Sequence, residues 1–150
     1  MTTNLGSSPA IRTVQKAITF DGTAGKGAIG NVIYFTITGA VHVVSIDAVC
    51  TQDCNVDGGT GAASLSLGVV NATTLFIAAT TATTITLANG LWYSTTPNTN
   101  GIALPATMKD IAIKQNIVIA VTSSGTQLVN TGTIVLTVHY VPSTSNGLLV

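Results

Sequence analysis

The side chains best equipped for chemistry are few: Cys50 and Cys54, His42 and His139, and five aspartates in a chain of 150 residues that has no glutamate. Two cysteines four residues apart can close a small disulfide if their Cα atoms come within about 7 Å. A reducing cytoplasm keeps such a pair as thiols. Free thiols are therefore the expectation for Cys50 and Cys54, with a disulfide as the alternative. No histidine adjoins either one, so the four ligands a structural zinc needs are not in place. Asp53-Cys54-Asn55-Val56-Asp57-Gly58 copies the opening of a calcium loop, in which alternate oxygens face one cation. The acid due at the twelfth position is replaced by Ser64. An ordinary acidic turn is the expectation, and Asp53, Asn55 and Asp57 are the weak candidates for a cation site completed by backbone oxygens or a neighbouring subunit.

Gly25-Lys26-Gly27-Ala28-Ile29-Gly30 matches G-x-G-x-x-G, which cradles a pyrophosphate only where the last glycine opens a helix. Here it runs into the strand-like segment from Asn31 to Thr38, so a mobile inter-strand loop is expected and no dinucleotide cofactor. His42 and His139 fall in predicted strands, on the face opposite most of their aliphatic neighbours, which makes them surface or interface residues. No G-x-S-x-G elbow is present, and without glutamate the usual carboxylate pair of a glycosidase is reduced to aspartates. No catalytic residue is assigned and an enzyme is not expected. Leu91-Trp92-Tyr93 holds the single tryptophan beside the polar stretch Ser94 to Gly101. Aromatics next to Asn and Thr form sugar platforms or interface anchors, so Trp92 and Tyr93 are interface candidates.

The elements that must position these groups are strands. Short alternating runs separated by turn residues mark a sandwich or barrel. They cover Val14 to Phe20, Asn31 to Thr38, Val41 to Thr51, Ala62 to Val70, Thr74 to Ala78, Thr83 to Leu87 and Leu91 to Ser94. In the last two runs Ile117, Ile119 and Val121 alternate, as do Ile134, Leu136, Val138 and Tyr140, and these face the predicted core. Gln52 to Gly61 reads as a loop, and a short helical turn is allowed near Pro105 to Ile111. The fold class is all-β: a single antiparallel β-sandwich of jelly-roll or Greek-key type, with a β-barrel as the alternative. Residues 1–12 read as an N-terminal arm, 13–141 as the sandwich domain and 142–150 as a C-terminal tail, both ends being rich in Ser, Thr, Gly and Pro.

Composition narrows the function. Charged residues are 7% of the chain, the formal net charge is zero, and Gly58 to Met108 carries no charge. There is no basic field to release counterions from a nucleic acid. Polar residues interrupt every apolar run short of the ~20 that a membrane-spanning helix needs, so no membrane partner is expected. The first residues lack the basic and apolar regions of a secretory leader. A free soluble protein normally keeps a charged surface, so much of this one is expected to lie against partners.

Asn31-Val-Ile-Tyr-Phe-Thr-Ile-Thr-Gly39, Ala48-Val-Cys-Thr51, Ser66-Leu-Gly68 and the stretch from Ala79-Thr-Thr-Ala-Thr-Thr84 to Leu91-Trp92-Tyr93 resemble small structural proteins of tailed bacteriophages. The likeness runs from about Phe20 to Tyr140 and lies in pattern. It implies a β-sandwich decoration or cement protein of the virion, assembled in the host cytoplasm, that binds the major capsid protein on the finished head, self-associates as a homotrimer and needs no cofactor. Leu5 and Pro9 of the arm join Trp92 and Tyr93 as interface candidates. A tail, fibre or spike component that binds host glycans, and a tail tube or minor shell protein, are the alternatives.

Overall fold

A computed structural model describes residues 10–99 and 101–150. The described residues form ten strands: β1 (Arg12–Thr19), β2 (Gly30–Phe35), β3 (Ile37–Thr38), β4 (Val41–Val56), β5 (Ala63–Val69), β6 (Ala72–Thr81), β7 (Lys109–Ile113), β8 (Ile117–Ser123), β9 (Val129–Pro142) and β10 (Leu148–Leu149). They form two antiparallel four-stranded sheets packed face to face, which we call the front sheet, β1-β9-β4-β7, and the back sheet, β2-β8-β5-β6. A small third pair joins β10 to β3. The fold is the expected β-sandwich, and the sheets stay separate rather than closing into a barrel.

Period-two patterning is what sorts the core. In β9, Ile134, Leu136, Val138 and Tyr140 are buried while Thr133, Val135, Thr137 and His139 between them are half-exposed. In β4, Val41, Val43, Ile46, Ala48 and Cys50 point inward, and the register slips between Val43 and Ser45, where a bulge keeps the apolar set on one side. Trp92 and Phe35 are fully buried in this core.

The back sheet is buried more completely. Val118 and Ala120, on the face of β8 opposite Ile117, Ile119 and Val121, are as buried as those core residues, and so is Ser66 of β5. Packing is tight at Gly68 of the same sheet: a Cβ there would lie 2.1 Å from the Ala72 carbonyl oxygen, so the first residues of β6 fold directly against β5 where a side chain would stand. Only glycine permits that approach.

Several expectations are corrected. The strand expected from Thr83 to Leu87 is a 3-10 turn at Ala82–Thr84, an extended Ile85 and a turn from Leu87, and Leu91 to Ser94 shrinks to isolated bridges from Leu91 to Val49 and to Asn98. The loop expected from Gln52 begins late, because β4 continues to Val56 through bulges that set Gln52 and Asn55 beside Thr133 and Thr131 of β9. Near Pro105 the helical turn covers only Ala106–Met108 and leads into β7. Residues 142–150 are not a separate tail. Ser143 N–H donates to the Ala40 carbonyl, Thr36 and Val150 exchange backbone hydrogen bonds, Tyr140 Oη donates to the Leu149 carbonyl, and Leu149 is buried. At the other end Arg12 opens β1; of the expected arm, residues 1–9 lie outside the described residues.

Candidate functional site

The outward face of the front sheet carries a network that joins both sides of β9. Thr13 of β1 and His139 of β9 stand opposite each other and share a hydrogen bond of 2.9 Å between Oγ1 and Nδ1. His139 Nε2 lies 4.0 Å from Asp47 Oδ2 on β4, and the other Asp47 oxygen accepts the Tyr93 hydroxyl at 2.9 Å. Lower on the same face Gln15 donates to Thr137, Thr19 pairs with Thr133, and Thr133 donates to Gln52. Cross-strand pairs of this kind stiffen a sheet by roughly 0.2–1 kcal/mol each. The result is a surface of hydroxyls and amides with one imidazole and one carboxylate, held in register by the strands beneath.

Thr13, His139 and Asp47 have the residue types of a hydrolase triad, but their arrangement does not serve one. The aspartate stands beyond hydrogen-bond reach of the ring, and the hydroxyl lies on an open strand with no turn of backbone N–H groups to hold an oxyanion. Tyr93 is pushed up to about 12 by burial first and by its bond to Asp47 second. It is therefore a neutral donor throughout the physiological range. His42, also on β4, has Nε2 3.8 Å from Asp110 of β7, whose backbone sits at φ +55°.

Trp92 does not face solvent. It is fully buried, and its Nε1–H donates to Thr80 Oγ1, itself buried, at 2.9 Å. Trp92 N–H also donates to the Ala48 carbonyl, which lays the segment after Gly90 along the free edge of β4. As an exposed interface or sugar-stacking residue Trp92 is thus ruled out; its indole is a core anchor, the commoner fate of the type. Tyr93 remains half-exposed between two hollows. One, of about 70 Å³, is lined by Leu91, Ser94, Asn98 and Ile102; the other, of about 290 Å³, by Thr74, Phe76, Thr95 and Thr107. Leu5 and Pro9 lie outside the described residues.

The calcium-like segment holds no converging ligands. Asp53 Oδ1 accepts the Leu87 N–H at 2.7 Å, Asn55 Nδ2 donates to Thr131 Oγ1, and Asp57 Oδ1 accepts N–H groups of Leu128 and Gly59. Residues 53 and 55 are on an extended strand, where alternate side chains sit nearly 7 Å apart, whereas a calcium loop curls around its ion. Among the described residues no three of His, Cys, Asp and Glu gather to hold a metal.

Cys50 and Cys54 are both buried free thiols. Cys50 Sγ donates to the Gln52 carbonyl at 3.1 Å. Burial first, and then the neighbouring Cys50, pushes Cys54 up to about 12. Burial likewise raises Cys50. Neither is a nucleophile at neutral pH, since the thiolate is the reactive form.

The glycine-rich loop is a bonded turn rather than a mobile one. Lys26 N–H donates to the Thr23 carbonyl, Asp21 N–H to that of Lys26, and Val129 N–H to that of Gly27. Gly27, at φ +117°, packs so closely that a Cβ would lie 1.8 Å from the Val129 carbonyl oxygen. The Asp21 carboxylate accepts the Thr23 hydroxyl and N–H, which hold it below its usual pKa, and it pairs with Lys26 at 3.7 Å. No helix N-terminus follows, because Gly30 opens β2.

Sequence reasoning missed the meeting of Thr13, His139, Asp47 and Tyr93. Strand parity placed His139 outward, but which residue of β4 lies beside it depends on register, and the bulge after Val43 moves that register by one. No protein-family model matches the chain, and neither a curated protein nor a solved structure does.

Proposed function

We propose that the protein is a structural subunit of a virion, a decoration or cement protein that binds the assembled phage head and stabilises it. The observation that carries this reading is the front face: an ordered array of Thr, Gln and His side chains, with Asp47 its single carboxylate between Thr13 and Gln52, on a stiff two-sheet body. Such a surface suits repeated, modest polar contacts on a symmetric lattice, where many copies supply the holding strength. The near absence of charge across the chain supports the same use, since a covered surface has no need of it. Self-association as a trimer belongs to this proposal.

The test is light scattering of the purified protein followed by cosedimentation with undecorated heads. A compact oligomer that saturates the heads at a fixed ratio is expected. Tube formation, or indifference to heads, would replace the reading with a tail role. A second reading, glycan recognition by a tail or spike component, draws on Tyr93 and its two uncharged hollows; Tyr93→Ala would then abolish retention on neutral sugar columns.

A further inference from the structure

The four outer strands of the two sheets are unlike one another. β6 is broken by two register shifts against β5, β2 by one against β8, and β7 is five residues long with Asp110 at φ +55°. Bulges, short strands and edge charges are how proteins keep sheet edges from adding further strands. β1 lacks the first two. Its eight residues pair with β9 in unbroken register, and among the described residues nothing pairs with its other side.

The phase of that ladder can be read. Phe20 N–H donates to the Gly132 carbonyl, continuing the register that sets Thr19 opposite Thr133. In an antiparallel pair the bonded positions alternate, so Arg12, Val14, Lys16 and Ile18 bond β9. Thr13, Gln15, Ala17 and Thr19 turn their N–H and C=O groups to the open edge.

Beside this edge, between β1 and β2, runs a groove of about 310 Å³ lined by Lys16, Ile18, Val32, Ile33, Tyr34 and Lys26. Lys16 reaches into it, donating to the Tyr34 carbonyl at 3.1 Å with its ammonium 5.3 Å from the Phe35 ring centre. Tyr34 keeps its hydroxyl buried without a hydrogen-bond partner among the described residues, and Ile33 is 57% exposed. Lys26 is paired with Asp21, whereas among the described residues Arg12 and Lys16 have no acidic partner.

We propose that β1 is a docking edge for an extended, acid-bearing segment of a different protein, which adds to the front sheet as a fifth strand. Arg12 and Lys16 lie four residues apart on the groove side of β1, with Val14 between them. A strand laid alongside meets them with residues at the same spacing, so the segment recognised reads acid, any, apolar, any, acid. Its carboxylates reach Arg12 and Lys16 while its apolar side chain settles over the groove. A second copy of β1 is a poor occupant, because antiparallel self-pairing would set the two bases against their own kind. The inference is independent of the shell reading, since a tail or receptor partner would be gripped in the same way.

The probe is a capped peptide of seven residues, threonine except for glutamate second and sixth and isoleucine fourth, titrated against the full chain and followed by amide NMR shifts. Binding is expected to fade as salt rises from about 0.05 M to about 0.5 M. Lys16→Glu and Ala17→Pro should each weaken it at least about tenfold. Proline at 17 removes an outward N–H and leaves the β9 ladder whole, so its thermal midpoint should stay close to that of the parent. Gln15→Pro repeats the test at the next outward position if Ala17→Pro fails to fold. Three results would overturn the proposal: no shifts in β1 with the parent protein, equal binding by Lys16→Glu and a folded proline variant, or a dimer through β1 that the proline variant abolishes.

Discussion

The two sheets treat their outward faces in opposite ways. The back sheet buries Val118, Ala120 and Ser66 on the side away from the core, with the backbone of β6 pressed against Gly68. The front sheet leaves its outer side open and ties Thr13, Gln15, Thr19, Thr133, Thr137 and His139 together with side-chain hydrogen bonds. One face is closed by packing and forgives little. The other is a regular polar surface that tolerates change in stability terms, which leaves its residues available for recognition.

Substitutions on the two faces should therefore differ several-fold in cost. Gly68→Ala puts a methyl group into the Ala72 carbonyl, with no flexible side chain to yield, and is expected to cost about 3 kcal/mol in urea unfolding. A cost under about 1 kcal/mol would mean that β6 can lift away and that the back face is looser than described.

A pH titration probes the ground between the two faces, at Cys54. Its pKa rises from 9.0 to about 12 in the folded chain. Above pH 9 the unfolded chain releases this proton while the folded chain keeps it, so the unfolded state binds fewer protons and stability falls with rising pH. The fall should span about pH 9 to 12 and be shallower in Cys54→Ala. Tyr93, raised from 10.0 to about 12, adds to the upper part of the window, and burial raises Cys50 and Tyr34 as well, so the share of Cys54 is read as the difference between the parent and Cys54→Ala. A thiol that reacts with a disulfide reagent at neutral pH as fast as a free cysteine would contradict the burial on which this rests.

The smallest effect belongs to the front face. Thr133→Ala loses hydrogen bonds to Thr19 and Gln52 whose partners turn to water instead, so its stability should stay within about 1 kcal/mol of the parent. A loss near that of Gly68→Ala would make the ladder a structural element in its own right.

Alternation in β9 and β5 exposed both the all-β class and the inward set from Ile134 to Tyr140, because a half-buried strand writes its two faces into every second residue. Trp92 was harder to place. Its neighbours Tyr93, Ser94 and Thr95 are polar enough to read as surface, and its anchor Thr80 lies twelve residues away on another strand. Residues 142–150 read as a tail because Ser, Thr, Asn and Gly dominate them, yet Leu149 finds a buried seat beside Tyr140. The open edge of β1 was not legible at all. Edge position is a property of strand order, and order in this fold comes from pairings between segments more than 100 residues apart, such as Thr19 with Thr133.

That long-range pairing governs how the chain is made. β9 lies between β1 and β4 in the front sheet, yet it is the last long strand to leave the ribosome. Until Pro142 has emerged, the sixteen residues of β4 have only part of their length paired, and β1 has no partner among the described strands. Non-local pairing of this kind is slow because loop closure must come before any contact rewards it. The front sheet therefore forms after synthesis of its own strands is complete, and the nascent chain meanwhile presents β1 and most of β4 as unpaired, aggregation-prone ribbons.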